Sequence, residues 1–383
     1  MNHFECIHII SFDIPYPANY GGVMDVFYKI KSLHECGVDV ILHCFEYGRK
    51  PAPELNAFCK EVHYYKRNRW VNPVAGKLPY IVRSRKNEKL VSRLLQDSFP
   101  ILFEGLHTTY HLPDPRLQNR LKIVRNHNIE HDYYASLERV EKNALKRIFF
   151  RKESKRLKEY EKNLLHADLI LGISQPDTQY LRSKGFEAKW VTAFHPNDFV
   201  NIDPGKGDFV FYHGNLGVAE NNHAALYLVK KVFSLTNLPV VIAGNNPSNE
   251  LTKAIAHHPH IRLEKNLTHE RILEYISQAQ INVLATFQAT GIKLKLINAL
   301  FMGRHVLVNS EMIKNTGLES LCIESNNPAE MAELIFHYWD KPFDRDQIKQ
   351  RKTILESKFS NASGAETILG LIQKKQEEYA QKH

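Results

Sequence analysis

The run Gln288-Ala289-Thr290-Gly291-Ile292-Lys293-Leu294-Lys295-Leu296-Ile297-Asn298-Ala299 follows an apolar, strand-like segment and leads into a stretch of helical period. Small residues at a helix start leave backbone N–H groups unpaired and pointing outward, an arrangement that receives phosphate. Lys293 and Lys295 add two cations in that first turn, where the helix dipole disfavours positive charge, so a compensating anion is the natural occupant. An ordinary strand, turn and helix with two solvated lysines is the alternative. A second polar cluster, Arg125-Asn126-His127-Asn128, directly follows another apolar run. That order places it in the crevice at a strand's carboxyl end, where an imidazole can donate to a hydroxyl or to developing phosphate charge. A histidine that caps a helix or fills the core remains the competing reading of His127.

These segments need a scaffold. Short β-branched runs at 6–11, 38–43, 101–104, 122–125 and 169–173 alternate with helical segments in the first half. Runs at 209–212, 239–244, 261–263, 281–285 and 305–308 do the same in the second. The pattern predicts α/β units built on parallel sheets. Val23, Val26, Phe27, Ile30 and Leu33 lie at helical spacing between the first two strands, with Gly37 where a C-terminal cap belongs. A right-handed crossover then sets the turn Pro15–Gly22 at the sheet's carboxyl edge. Pro, Gly and Asp accumulate from His195 to Gly207, after which the alternation restarts, so the boundary is expected near residue 195.

Composition bounds the partners. With 383 residues, 43% hydrophobic and 24% charged, the chain is a folded protein of more than one domain. No apolar run is long enough to span a bilayer, and Glu5 and Asp13 interrupt the start where a signal peptide would be apolar, so a cytoplasmic location is expected. The formal charge of +9 favours anionic partners. No zinc-finger, RNA-recognition or helix-turn-helix signature is visible, which argues against nucleic acid. The five cysteines lack C-x-x-C spacing and the twenty histidines scatter, so no metal site is expected. From Arg139 to Lys162 a Lys- and Arg-rich helical stretch, interrupted by Ile148-Phe149-Phe150, suits either an anionic membrane surface or plain solvent.

Thr290-Gly291-Ile292-Lys293 with Lys295, Asn298-Ala299 and Met302-Gly303-Arg304 resembles the nucleotide-sugar motif of the GT-B glycosyltransferases of glycosyltransferase family 4. Phe211–Leu216 with Glu220-Asn221, Val241–Gly244, Ile14–Pro17 with Gly21-Gly22, and Ala167-Asp168 through Ser174–Asp177 resemble further elements of that family in order, from about residue 8 to 372. The resemblance implies two Rossmann-like, doubly wound domains facing a cleft. They are an acceptor-binding domain over 1–195, a nucleotide-sugar domain over 196–363, and a helix over 364–383 returning to the first. It implies donor contacts from Gly21, Gly22, Gly214, Asn215, Gly244, Thr290, Gly291, Ile292, Lys293, Lys295 and Asn298. His127 falls where the family has a His near the transferred sugar, and with Lys293 it is the expected catalytic pair. Glu104, His107, Arg125 and Asn128 are the expected acceptor contacts.

Two positions depart from the family's Glu, seven residues, Glu pattern: here they are Thr290 and Asn298, and Asn298 can accept from a ribose hydroxyl only without charge assistance. Asn215 and Glu220 stand where many members carry Arg and Lys, and Lys293 and Lys295 are expected to supply that charge. No D-x-D pattern appears where a metal-dependent transferase would use one. The expected activity is transfer of a hexosyl unit, mannosyl first, from a nucleoside diphosphate sugar (GDP-mannose or a UDP-hexose) to a glycan or lipid-linked acceptor. It is expected to be retaining, independent of metal or other cofactors, and peripheral at the inner membrane face. A nucleotide-sugar 2-epimerase or a catalytically silent binding protein on the same scaffold are the alternatives.

Overall fold

Strands covered on both faces read as short, nearly continuous apolar runs, and here they assemble into two all-parallel sheets. The computed structural model describes residues 5–70, 72–73, 75–141, 143–287 and 293–381. These divide into two units: residues up to Phe194 together with the last helix, and His195–Ser360.

The first unit holds β1 (Cys6–Ser11), β2 (Asp39–Glu46), β3 (Glu61–Lys66), β4 (Ile101–Glu104), β5 (Lys122–Asn126), β6 (Leu169–Gly172) and β7 (Ala188–Trp190), in the order β3-β2-β1-β4-β5-β6-β7. The second holds β8 (Val210–His213), β9 (Val240–Ala243), β10 (Ile261–Glu264), β11 (Ile281–Leu284), β12 (His305–Val308) and β13 (Ile323–Glu324), in the order β10-β9-β8-β11-β12-β13. Each sheet reverses its direction of growth beside its first strand, between β1 and β4 and between β8 and β11. Such reversals open a crevice at the strands' carboxyl ends.

In the first sheet alternate residues feed opposite cores. Ile7, Ile9, Leu102, Ile123, Leu169 and Leu171 pack on one face, and Ile10, Ile101, Phe103, Val124 and Ile170 on the other. The helix Gly21–Glu35 covers the first of these through Val26, Ile30 and Leu33. The last helix, Asn361–Ala380, joins the same core through Ala365, Ile368, Leu369 and Ile372. Lys375 Nζ to Glu187 Oε2 at 2.6 Å and Tyr379 OH to Asp168 Oδ1 at 2.7 Å tie it down. In the second unit the helix Leu294–Met302 is almost wholly buried. The Arg351 guanidinium, itself buried, donates to the carbonyls of Leu300, Gly303 and Arg304 at that helix's end, where a cation complements the dipole.

Candidate functional site

The first unit's crevice rests on a buried lattice of charge. Asp25 and Lys29 lie one turn apart on the helix Gly21–Glu35, and the Lys29 ammonium sits 2.8 Å from Asp25 Oδ2 and 2.8 Å from Glu104 Oε1. Arg125 donates to both oxygens of Asp25, at 3.1 and 2.8 Å, and to the carbonyls of Val191 and Thr192 at 2.7 and 2.6 Å. Burial works to raise the Asp25 carboxyl, but Arg125 and Lys29 outweigh it and hold it well below the usual carboxylate range. Arg125 and Glu104, expected to contact acceptor hydroxyls, are fully buried and committed to these partners. Both are corrected to positioning residues. Asp25, Glu104 and His127 bring ligand atoms within 4.8 Å of one another. The Lys29 ammonium, bonded to both carboxylates, already supplies the positive charge such a cluster would draw.

His127 stands on this lattice. Its Nε2 is 2.9 Å from Glu104 Oε2, and its buried Nδ1 has no hydrogen-bond partner among the described residues. With Nε2–H turned to Glu104, a neutral ring offers an acceptor at Nδ1, and the imidazolium offers a donor there. The Phe12 ring stands 5.4 Å from His127, edge-on, and 5.5 Å from His107. Gly105, at the end of β4, takes φ +67, a conformation suited to glycine, and the chain turns there toward His107. Burial, then Arg85, drives the His107 ring well below the ordinary imidazole range. Glu130 Oε1 lies 3.8 Å from His107 Nδ1. Burial pushes its carboxyl up to about 8, with the Asn128 side chain, hydrogen-bonded to it, and Arg85 opposing. Asn128 therefore faces Glu130. Gly21 opens its helix. A Cβ on Gly22 would fall 2.7 Å from Phe12 Cζ, so glycine there makes room for the ring over the two histidines and not for a ligand.

In the second unit, Lys295 occupies the second position of the helix Leu294–Met302, just after Lys293 at its N-cap. The Lys295 ammonium lies 2.5 Å from Asn221 Oδ1 and 5.7 Å from the centre of the Tyr212 ring. A Cβ on Gly214 would stand 2.8 Å from Nζ, so this glycine lets the ammonium reach the backbone turn after β8. Burial pushes the Lys295 amine down to about 8, against the opposite pull of Glu220 and with the help of Lys293. His213, at the end of β8, is pushed down to about 3 by burial and then Lys295, and its buried Nε2 has no partner among the described residues. Asn215 accepts from Gly217 N at 3.1 Å and, through its carbonyl, from Asn221 Nδ2 at 3.0 Å. A Cβ on Gly244 would fall 1.9 Å from the Gly214 carbonyl, so its glycine serves the packing of adjacent turns. Asn298 is buried, and its Oδ1 accepts from Asn197 Nδ2 at 2.8 Å. That bond takes one of the two acceptor positions of the oxygen expected to receive a ribose hydroxyl. Thr290, Gly291 and Ile292 lie outside the described residues.

Residues 207–341 match the family described as glycosyl transferases group 1. The matched domain lies within the second unit. Beyond that domain, the whole chain resembles an uncharacterized 44.6 kDa protein in the cps region of Klebsiella pneumoniae, 27% identical and aligned over 87% of this chain and 90% of the relative. Among solved structures it superposes on S. aureus TarM bound to UDP, fondaparinux and a GlcNAc-glycerol, with a TM-score of 0.65 at 11% identity, covering 96% and 99% of the two chains. Anabaena HepE bound to UDP and glucose gives 0.65 at 11% identity, covering 97% and 100%. At such identities the likeness establishes the fold: GT-B, with two Rossmann-like parallel sheets. The sequence reading missed Phe12, Asp25 and Lys29, and held His213 and Asn221 only within family-like segments, with no role at the site. Asp25 and Lys29 had a signal, two opposite charges four residues apart beside the buried Val26 and Ile30 on an amphipathic helix.

Proposed function

We propose that this chain moves a hexosyl unit, mannosyl by preference, from a nucleoside diphosphate sugar to a glycan or lipid-linked acceptor, retaining the anomeric configuration without a metal. One observation carries the reading: the segment that matches the group 1 glycosyltransferases holds a half-buried ammonium, Lys295, against the glycine turn after β8 at the sheet's switch point. Breaking the bond from anomeric carbon to diphosphate leaves negative charge on the leaving phosphate. A preorganised ammonium and a helix start at that place stabilise it as it develops. The UDP held by the Anabaena and S. aureus structures supports a nucleotide donor, and the cps-region relative supports a role in polysaccharide assembly. The first unit supplies His127 Nδ1 for the sugar or its phosphate. The helix Ala144–Tyr160 exposes Leu145 and Ile148 among Lys146, Arg147, Arg151 and Lys152, a face suited to resting on anionic lipid.

A thermal-shift screen with GDP, UDP, GDP-mannose and UDP-hexoses tests the donor, since a ligand at a hundred times its Kd stabilises by about 2.7 kcal/mol. Release of nucleoside diphosphate that depends on added acceptor supports transfer. A free epimer formed without acceptor identifies the epimerase, and binding without turnover a silent protein.

A further inference from the structure

We infer that the first unit contains an oxyanion site, formed by Arg67 and Arg85, that takes a phosphate or carboxylate group carried by the acceptor. The inference rests on the glycosyl-transfer reading and names the chemical class of acceptor. Arg67 directly follows β3, and Arg85 follows the helical turn Tyr80–Arg83. The two segments are clamped together by Asn68 N to Ser84 O at 2.8 Å and Arg67 Nε to Ser84 Oγ at 2.7 Å.

Arg67 is only 9% exposed, and its guanidinium lies 4.5 Å from the Tyr47 ring and 5.0 Å from the Tyr80 ring. Its Nη1 and Nη2 have no hydrogen-bond acceptor among the described residues, so the outer edge of a planar, bidentate fork stands open beside Tyr47, itself 54% exposed. Arg85 is 2% exposed and spends three donors on carbonyls, Nε and Nη2 on Phe12 at 3.2 and 2.9 Å and Nη1 on Ile81 at 2.5 Å.

Neither guanidinium forms an ion pair with a carboxylate among the described residues. Of the acids whose fields reach Arg85, Asp13 is engaged by Tyr20 OH at 2.9 Å and Arg49 Nε at 3.4 Å, and the Glu130 carboxyl is pushed up to about 8 by burial. Burial, and then Arg67, pushes Arg85 down to about 9. Two other buried arginines face carboxylates, while Arg304 and Arg351 spend donors on backbone carbonyls. Arg125 faces Asp25, Arg120 faces Asp97 at 3.0 Å, and Arg351 caps the end of a helix. Two buried like charges without a counter-ion are costly, and a bound oxyanion removes the cost while accepting paired hydrogen bonds from a fork. Both arginines also act on His107, which shares the Phe12 ring with His127, so an anion held here lies beside the proposed sugar-handling histidine.

The site's chemistry is common to the phosphate of a lipid-linked acceptor and the carboxylate of an acidic sugar. Full-length protein, with GDP and UDP both present in excess to fill the donor site, is titrated calorimetrically with inorganic phosphate and separately with glucuronate. Wild type binds at least one of them, and Arg67→Gln weakens that binding about tenfold or more, as for loss of a charged hydrogen bond. Arg67→Lys, which keeps the charge but not the fork, falls between and serves if the Gln variant does not fold. Tighter phosphate binding identifies a phosphorylated, lipid-linked acceptor, and tighter glucuronate binding an acidic glycan. Binding of neither anion, or equal binding by wild type and a folded Arg67→Gln, overturns the inference. If neither GDP nor UDP binds while Arg67-dependent anion binding persists, the donor reading fails and the oxyanion site stands.

Discussion

Nucleoside diphosphate affinity should weaken as the pH rises from 7 to 9, and Lys295 should be the cause. Burial pushes this amine down to about 8, so it is an ammonium at pH 7 and mostly a neutral amine at pH 9. If the ammonium form binds, the apparent Kd grows as the inverse of its fraction. That fraction falls from about nine-tenths to about one-tenth over this range, an approximately tenfold change worth ~1.4 kcal/mol. The diphosphate adds little slope of its own, because terminal phosphates with pKa near ~6 are already ionised. A bound anion must also raise the amine's pKa, so binding near pH 8.5 takes up protons, which calorimetry in buffers of different ionisation enthalpy measures. Lys295→Met keeps the unbranched stem but not the charge. It should lose about 1.5–3 kcal/mol of affinity at pH 7 and show a flat profile to pH 9. An equal slope in wild type and Lys295→Met, or no slope in wild type, would refute the placement of this ammonium at the phosphate.

Five further outcomes are expected. His127→Ala should keep nucleotide affinity and lose about a hundredfold in turnover with donor and acceptor saturating, the lower range for one transition-state partner; unchanged turnover removes it from the site. Gly22→Val drives a side chain into Phe12 Cζ at 2.7 Å and should cost about 1–3 kcal/mol of stability in denaturant melts, with turnover falling as the ring leaves the histidines. Lys29→Met leaves Asp25 and Glu104 facing each other with less compensation and should cost about 3–5 kcal/mol. Because the Asp25 carboxyl is held below its unfolded value, its stabilisation is complete above the unfolded pKa and is lost as pH falls through the folded one, so wild type should show an acid limb in its melting profile that Asp25→Asn lacks. Asn298→Ala strands Asn197 Nδ2 and should cost about 1–3 kcal/mol, read by melting temperature, whatever its effect on the donor.

Strand-helix alternation, the parallel sheets and the helix Gly21–Glu35 were legible because a strand buried on both faces must be apolar along its length, and a crossover helix must carry a stripe of helical period. Three of the four edge strands were not. β3 (Glu-Val-His-Tyr-Tyr-Lys), β7 and β13 each pair on one side only and stay partly exposed, so polar residues dilute the signal in short segments. Lys295 was legible as a cation out of place in a helix's first turn. Its pairing with Gly214 and Asn221, more than seventy residues upstream of it, was not.

By itself, then, the amino-acid order determined the fold class and the segments at the sheets' carboxyl edges, because periodicity and turn chemistry are local properties. Tertiary structure decided which polar groups remain available there. Arg125 and Glu104 looked as suitable as His127 for a substrate, yet they are consumed by Asp25 and Lys29 from a helix far upstream in the chain, and Asn298 is engaged by Asn197. Whether a side chain's hydrogen-bonding capacity is spent or open depends on neighbours distant in sequence. Burial then sets the charge state of those left open, as at Lys295 and Glu130.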